Sequence, residues 1–139
     1  MMGKSIKELN IGDEASMSRT VTEADVILFG GVSGDFNPAH FDEEYARKTL
    51  FKGRIAHGMI AASYATAVLA MKLPGPGSIY LGQEMKFLAP VRFGDTVIAK
   101  VEVLEKNEGK NRVILRTYCT NQDGKLILDG KATILPPIK

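Results

Sequence analysis

A chain of 139 residues in which 45% are hydrophobic and 24% are charged has the length and composition of one globular domain, residues 1–139. Its formal net charge is only +2 and its basic residues are scattered, which argues against nucleic-acid binding and is compatible with an anionic ligand. Cys119 is the only cysteine, so no intrachain disulfide can form, which favours a reducing compartment. Because the N-terminus also lacks the apolar run of a signal peptide, the sequence predicts a cytoplasmic protein.

The first third of the chain predicts one strand followed by two helices. Residues Glu14–Val21 alternate weakly between apolar and polar side chains, as a half-buried strand does. Thr22 is typical of a helix N-cap, and acidic residues follow it in the first turn. Gly30-Gly31 and then Ser33-Gly34 are expected to break this helix and lead into the next turn. Asp42 then predicts the cap of a second short helix, Glu43–Leu50.

The most apolar stretch of the chain predicts a buried helix over Gly58–Leu73, about 24 Å long at 1.5 Å per residue. This segment is apolar nearly all round, so it is expected to be enclosed on most sides. Polar residues interrupt it and it is shorter than the ~20 residues that a membrane span needs, so no membrane insertion is expected. The proline and glycine residues of Pro74–Gly77 are expected to end it abruptly.

After this helix the sequence changes period and predicts four strands joined by turns. They are Ser78–Leu88, Thr96–Glu105, Arg112–Thr120 and Lys125–Leu135. In the second strand, four apolar side chains lie on one face: Val97, Ala99, Val101 and Val103. The economical architecture is α+β, with a curved antiparallel β-sheet wrapped around the long helix. A second copy of the chain is expected to cover the outer face and the edge of the sheet.

Residues with acid–base chemistry cluster in the sequence Asp-Phe-Asn-Pro-Ala-His, residues 35–40. Pro38 restricts this turn and biases Asn37 toward an extended conformation, so Asp35 and His40 can reach the same side. A carboxylate beside an imidazole can act as an acid/base pair near neutral pH, and the amide of Asn37 can orient either group or a water. The same residues also fit a turn whose polar side chains only bond the local backbone.

A second functional feature is the start of the long helix at His57-Gly58. The first N–H groups of a helix are unpaired and carry partial positive charge, and glycine lets a ligand oxygen approach closely. This suits a carbonyl oxygen that becomes an oxyanion. The alternative is that His57 caps and supports the helix start while Gly58 allows tight packing. Further along the helix, the hydroxyl of Thr66 either bonds back to the helix or holds Asp35 or His40.

Other kinds of site are poorly supported. Two histidines and one cysteine without a close cluster argue against a metal site. Gly30-Gly31 and Gly34 lack the spacing of a Walker or Rossmann phosphate loop. Ser33 and Ser63 lack the context of a nucleophile elbow.

Three segments, in this order, resemble the (R)-specific enoyl-CoA hydratases of the MaoC-like hydratase-2 family. They are S-G-D-F-N-P-A-H, then G-R-I-A-H-G-M, then Y-L-G-Q-E-M-K-F-L-A-P-V-R-F-G-D-T-V. The resemblance implies a hot-dog fold, in which an antiparallel sheet wraps a central helix. It also implies a homodimer whose sheets join edge to edge, with the active site near the interface; a higher oligomer is compatible with this.

The same resemblance implies reversible addition of water to a trans-2-enoyl-CoA, giving the (R)-3-hydroxyacyl-CoA, with no metal or redox cofactor. Asp35 and His40 match the catalytic pair of the family, and Asn37 matches the asparagine between them. Gly58 matches the glycine whose backbone N–H polarises the thioester carbonyl. Thr66 falls where relatives have a small hydroxyl residue near the catalytic aspartate.

Three alternatives stay open at this point. The nearest is a 3-hydroxyacyl-[acyl-carrier-protein] dehydratase of fatty acid synthesis, which runs the same chemistry toward the enoyl product. A hot-dog thioesterase would cleave the thioester, and a non-catalytic module would bind the acyl thioester without turnover. An intact acid/base set argues against binding alone.

The pathway is equally open among polyhydroxyalkanoate supply, β-oxidation and fatty acid synthesis. Val68 and Leu69 are expected near the floor of the acyl pocket. Candidate contacts for the CoA phosphates, each also compatible with an ordinary surface charge, are Lys52, Arg54 and Lys86.

Overall fold

The computed structural model describes residues 1–139, which form one five-stranded antiparallel sheet and four helices. The strands are β1 Glu14–Thr20, β2 Ile79–Phe87, β3 Thr96–Asn107, β4 Arg112–Thr120 and β5 Leu126–Leu135. The helices are α1 Glu23–Ser33, α2 Pro38–Phe41, α3 Glu43–Ala46 and α4 Gly58–Met71. The strand order is β1-β3-β4-β5-β2, so β1 and β2 form the two edges. All five strands lie within two residues of the bounds that the sequence predicts.

The inner face of the sheet carries the core, because burial alternates along the central strands. On β3 the inward residues are the four that the sequence predicts on one face, Val97, Ala99, Val101 and Val103. On β4 they are Val113, Leu115, Thr117 and Cys119. Cys119 is a small buried side chain on a strand, and burial raises the pKa of its thiol to about 12.

Helix α4 packs on the inner side of β1, β3 and β4. Seven of its residues are buried: Ile60, Ala61, Ala62, Tyr64, Ala65, Val68 and Leu69. The chain therefore encloses α4 on most sides, as predicted. One stripe at helical spacing is left uncovered, and it consists of Met59, Ser63, Thr66 and Ala70.

Helix α1 begins as predicted and ends at the second of its two predicted breaks. A capping box forms at its start, where the Asp25 N–H donates to Thr22 Oγ1 at 3.2 Å and the Thr22 N–H donates to the Asp25 carboxylate at 2.9 Å. Of the two predicted breaks, the one at Gly30-Gly31 is wrong, since α1 continues through it. The one at Ser33-Gly34 is confirmed, since α1 ends at Ser33 and Gly34 is its left-handed C-cap. Packing explains one of these glycines, because a Cβ on Gly30 would lie 2.7 Å from the ring of Phe41.

Helix α3 is shorter than predicted, ending at Ala46 rather than at Leu50. Its cap is as predicted, with the Tyr45 N–H donating to Asp42 Oδ1 at 3.2 Å. The helix ends because the hydroxyl of Thr49 donates to the Ala46 carbonyl at 2.6 Å. The N–H groups of Lys48 and Thr49 also bond carbonyls three residues back instead of four.

A sheet of this strand order around one long helix is the hot-dog fold, as predicted. Edge strand β2 and the uncovered stripe of α4 lie on the same side, with a cleft between them. None of the helices has the length and the apolar character that a membrane crossing requires.

Candidate active site

The two sequence-predicted parts of the site meet at the start of α4. One carboxylate oxygen of Asp35 and one ring nitrogen from each of His40 and His57 lie within 4.8 Å of one another. Gly58 follows His57 directly as the first residue of the helix. The structure therefore brings the acid/base candidates and the helix start into one place.

The turn that carries His40 is held by residues 54 and 55. The Ile55 N–H donates to the Ala39 carbonyl at 3.2 Å, and His40 Nδ1 lies 2.8 Å from the Ile55 carbonyl. The Nε of Arg54 donates to the His40 carbonyl at 2.8 Å. These bonds fix α2 against the segment that leads into α4, so His40 is positioned through both its backbone and its ring.

The ring of His40 has one bonded nitrogen and one free nitrogen. Because the Ile55 carbonyl can only accept a hydrogen bond, Nδ1 carries the proton in the neutral imidazole. Nε2 is then the unprotonated nitrogen, and it makes no hydrogen bond within the chain. Since His40 is only partly buried, its Nε2 can exchange a proton with a water or a substrate.

Asp35 lies in the exposed turn between α1 and α2. Its Oδ1 accepts the Asn37 N–H at 3.1 Å, and its own N–H donates to Ser33 Oγ at 3.1 Å. Asn37 Oδ1 accepts the Ala39 N–H at 3.0 Å and so caps α2. The local-turn hypothesis therefore holds for these two side-chain oxygens. The second carboxylate oxygen of Asp35 and the amide NH₂ of Asn37 make no bond within the chain.

His57 occupies the N-cap position of α4, but its side chain makes no capping bond. Its ring is only 2% exposed and stacks on the His40 ring, with 3.9 Å between the ring centroids. Nε2 lies 2.9 Å from the Asp35 carbonyl and must donate to it. Nδ1 is buried without a partner. His57 therefore supports the site by joining the helix start to the turn that carries Asp35.

Gly58 has an open backbone N–H and a crowded Cα. At the first position of α4 its N–H has no intrahelical acceptor, and none is supplied by another part of the chain. A Cβ at this position would lie 2.8 Å from Cδ1 and 2.9 Å from Cε1 of Phe87. Both predicted reasons for a glycine, an accessible N–H and tight packing, therefore apply together.

Thr66 lies apart from this cluster. It is eight residues beyond Gly58, about 12 Å along the helix, and its hydroxyl donates to the Ala62 carbonyl at 3.2 Å. It faces a largely apolar cleft of about 590 Å³ between α4 and β2, together with Tyr80 and Gln83. Partial burial raises the pKa of Tyr80, and the hydroxyl of Thr66 opposes that shift. A role for Thr66 in orienting water or substrate stays a prediction.

Arg54, a candidate for phosphate binding, is occupied inside the protein. Its guanidinium bonds the His40 carbonyl, pairs with Glu23 at 3.1 Å and lies 4.7 Å from the ring centroid of Phe93. Sequence reasoning missed this role, although Arg54 stands four residues before the predicted helix start and is followed by Ile-Ala, a setting in which the stem of an arginine is often buried. Lys52 and Lys86 are exposed.

Other expectations concern the pocket floor and metals. Val68 and Leu69 are buried in the core beneath the cleft rather than lining it. The expectation that the histidines belong to no close cluster of metal-ligand types is wrong, because the fold brings one ligand atom from each of Asp35, His40 and His57 within 4.8 Å of one another. Each imidazole already gives one nitrogen to a backbone carbonyl, and the other nitrogen of His57 is enclosed by rings. The absence of a metal stays a prediction.

Comparison with known proteins adds to this geometry. The family described as MaoC like domain matches residues 9–123. An (R)-specific enoyl-CoA hydratase of Rhodospirillum rubrum is 48% identical over 133 residues, which cover 96% of this chain and 92% of that protein.

Two solved structures are similar over nearly the whole chain. The unliganded R-hydratase of Pseudomonas aeruginosa has a TM-score of 0.92 at 46% identity, covering 99% of this chain and 88% of that one. The (R)-hydratase of Aeromonas caviae, described as involved in PHA biosynthesis, has a TM-score of 0.90 at 41% identity, covering 94% and 99%.

Proposed function

The chain belongs to the MaoC-like family, and from that membership we propose that it is an (R)-specific enoyl-CoA hydratase. The reaction adds water reversibly across the double bond of a trans-2-enoyl-CoA and gives the (R)-3-hydroxyacyl-CoA. The observation that carries the proposal is the meeting of Asp35, His40 and the Gly58 N–H at the start of α4. Hydration of an enoyl thioester needs a base, an acid and a donor for the developing oxyanion, and this site supplies all three.

Asp35 and His40 would hold the reacting water between them. Their polar atoms lie within 4.8 Å, and two hydrogen bonds of about 2.8 Å can span up to about 5.6 Å through one water. As an O–H bond of the water breaks, its oxygen bonds C3 and the π electrons move toward the thioester carbonyl. The proton taken from the water is balanced by one delivered to C2, and the two residues divide these steps.

The N–H of Gly58 would stabilise the enolate oxygen formed in this step. It points from the start of a helix, where the partial positive charge of the helix dipole adds to the hydrogen bond. Because this donor is fixed by the helix, little reorganisation is needed as charge develops.

The substrate would lie where two clefts meet. The cleft of about 590 Å³ between α4 and β2 and a second, largely apolar cleft of about 520 Å³ share Met59 and Phe87, and Gly58 lines the second. A thioester at Gly58 can therefore place its acyl chain in one cleft and its pantetheine arm in the other. No metal or redox cofactor takes part in the proposed reaction.

A homodimer is part of the proposal. The edge strand β2 and the stripe of α4 leave apolar side chains exposed on one side of the chain, among them Met59, Leu81 and Phe87. Pairing of two β2 edges would cover them. Light scattering should give twice the 15.1 kDa mass of one chain, and a monomer at micromolar concentration would contradict this arrangement.

Crotonyl-CoA provides the direct test. Purified protein should remove the enoyl-thioester ultraviolet absorbance without releasing free thiol. An Asp35→Asn variant should lower the rate by about 10²–10⁴-fold, the range for loss of general acid–base catalysis, while its circular dichroism stays that of the wild type. Hydration at the normal rate by this folded variant would overturn the assigned mechanism.

The other outcomes separate the alternatives. Release of free thiol would indicate a thioesterase. Turnover of the carrier-protein thioester but not of the CoA ester would indicate the dehydratase of fatty acid synthesis. Binding of crotonyl-CoA and longer enoyl-CoAs without turnover would indicate a binding module.

A further inference from the structure

We propose that His57 is a positioning residue that sets the location of the Asp35 carboxylate relative to the Gly58 N–H, an inference that rests on the proposed hydratase function. His57 is adjacent to Gly58 in the chain and donates to the backbone of Asp35. One side chain thus joins the acid/base residue to the helix start that would hold the oxyanion. It touches neither the water nor the thioester in this scheme.

The bond between His57 and Asp35 is the tie between their two segments. Asp35 lies in an exposed turn whose other bonds are local, to Ser33 and Asn37. His40 has separate anchors in Arg54 and Ile55. Without the His57 bond, the carboxylate of Asp35 would keep its local turn but lose its fixed distance from the first residue of α4.

The surroundings of His57 indicate that a histidine occupies this position because it can donate a hydrogen bond to the Asp35 carbonyl. Three rings enclose it, with ring-centroid distances of 4.7 Å to Phe29, 3.9 Å to His40 and 5.7 Å to Phe41. In this apolar setting Nδ1 is buried and has no partner, which is unfavourable for a polar atom. An apolar side chain would fill the space without that cost. What it could not do is donate to the Asp35 carbonyl.

A packing role and a positioning role predict different kinetics. If His57 only fills space, its replacement should change stability and leave turnover in proportion to the folded fraction. If it positions Asp35, loss of the donor should lower kcat with little change in KM, because displaced catalytic groups affect the chemical step.

Two variants of similar size separate these roles. His57→Met keeps an unbranched apolar side chain and removes the donor, whereas His57→Gln places an amide N–H near the position of Nε2. With crotonyl-CoA, His57→Met should lower kcat by about 10–100-fold with KM within about twofold, and His57→Gln should restore most of the loss. Leu115→Ala, a change at a fully buried position of β4, serves as the control for a loss of stability.

A double-mutant cycle measures the coupling between His57 and Asp35 in kcat, which a pure packing role for His57 would leave at zero. Because His57 acts through Asp35, adding His57→Met to Asp35→Asn should lower kcat little further. Wild-type kcat in folded His57→Met, equal losses in the Met and Gln variants, or full additivity in the cycle would each overturn the inference.

A spectroscopic test does not depend on turnover. ¹⁵N NMR of the wild-type protein at neutral pH should show His57 as the Nε2–H tautomer, and the Asp35 amide should broaden or shift in His57→Met but not in Leu115→Ala. The Nδ1–H tautomer would overturn the inference. Inactive wild-type protein with the expected tautomer would count against the hydratase function and not against this contact.

Discussion

The sheet and the segment from Gly34 to Gly58 are held together in different ways. Along β3 and β4, burial alternates residue by residue and backbone bonds join each strand to the next. Between Gly34 and Gly58 there are only two helices of four residues each, and side chains bond backbone carbonyls instead. Many repeated contacts stabilise the sheet, whereas a few specific bonds hold the polar groups of the segment near the start of α4. Changes in the sheet should therefore affect unfolding, and changes in the segment should affect turnover.

The largest expected effect is in the sheet. Leu115 is fully buried on β4, so Leu115→Ala should lower the free energy of unfolding by about 2.7–5.0 kcal/mol. Turnover per folded molecule should not change. Leu115 is four residues, about 13 Å, along the strand from Cys119, whose thiol contacts the first turn of α4.

Urea unfolding at fixed protein concentration measures the free energy of unfolding, and kcat with crotonyl-CoA measures the turnover per folded molecule. If Leu115→Ala also lowers kcat strongly, the sheet and the segment from Gly34 to Gly58 do not separate stability from turnover.

The same difference explains how much could be read from the sequence. The strands could be predicted because alternating burial leaves a period of two, as in the four inward residues of β3. The start of α4 could be predicted because a long apolar segment follows a glycine, and Asp35 and His40 because their residue types carry acid–base chemistry.

The hydrogen bonds within the segment from Gly34 to Gly58 could not be predicted, because they leave no periodic pattern in the sequence. Nothing local indicates that His57 donates to the Asp35 carbonyl or that Arg54 donates to that of His40. Helix α1 continues through Gly30-Gly31, and at Gly30 the close approach of the Phe41 ring, which leaves no room for a Cβ, overrides the low helix propensity of glycine. Helix α3 ends early because the Thr49 hydroxyl competes for a backbone carbonyl.

The next largest effect lies at the helix start. In Gly58→Ala the new Cβ would meet the ring of Phe87 at 2.8 Å. In one chain that ring is 51% exposed and can swing aside, so the stability of the chain's own fold should change little. The moved ring would narrow the two clefts it lines and crowd the approach to the Gly58 N–H. We expect kcat/KM to fall by about 10²-fold, as for loss of one oxyanion donor.

Gly31→Ala is the matched control, because Gly31 lies in α1 and a Cβ there meets nothing within 4 Å. It should add about 0.5–1 kcal/mol of stability and leave kcat/KM unchanged. Adding Phe87→Leu to Gly58→Ala should return part of the activity by clearing the contact. Equal losses in Gly31→Ala and Gly58→Ala would remove the steric explanation.

The smallest expected effect concerns an ion pair on the outer face of the sheet, which should affect stability and not turnover. Arg116 Nε and Nη2 donate to the two carboxylate oxygens of Asp129 at 3.0 and 2.8 Å. Hydrogen bonding from this guanidinium lowers the pKa of Asp129 below its ordinary value. A carboxyl group with a lower pKa in the folded state than in the unfolded state stabilises the fold above the unfolded pKa, and that contribution is lost as pH falls through the folded pKa.

Because both side chains are about one-third exposed, Asp129→Asn should cost only about 0.2–1 kcal/mol at pH 7. The difference from wild type should shrink as pH falls below about 3.9, the ordinary Asp pKa, and also in high salt, which screens exposed charges. Urea unfolding across pH 3–7 measures this, with kcat expected to stay at the wild-type value. A cost that is unchanged at low pH would assign the effect to packing of the Arg116 guanidinium on Tyr118, 3.8 Å from its ring centroid, rather than to charge.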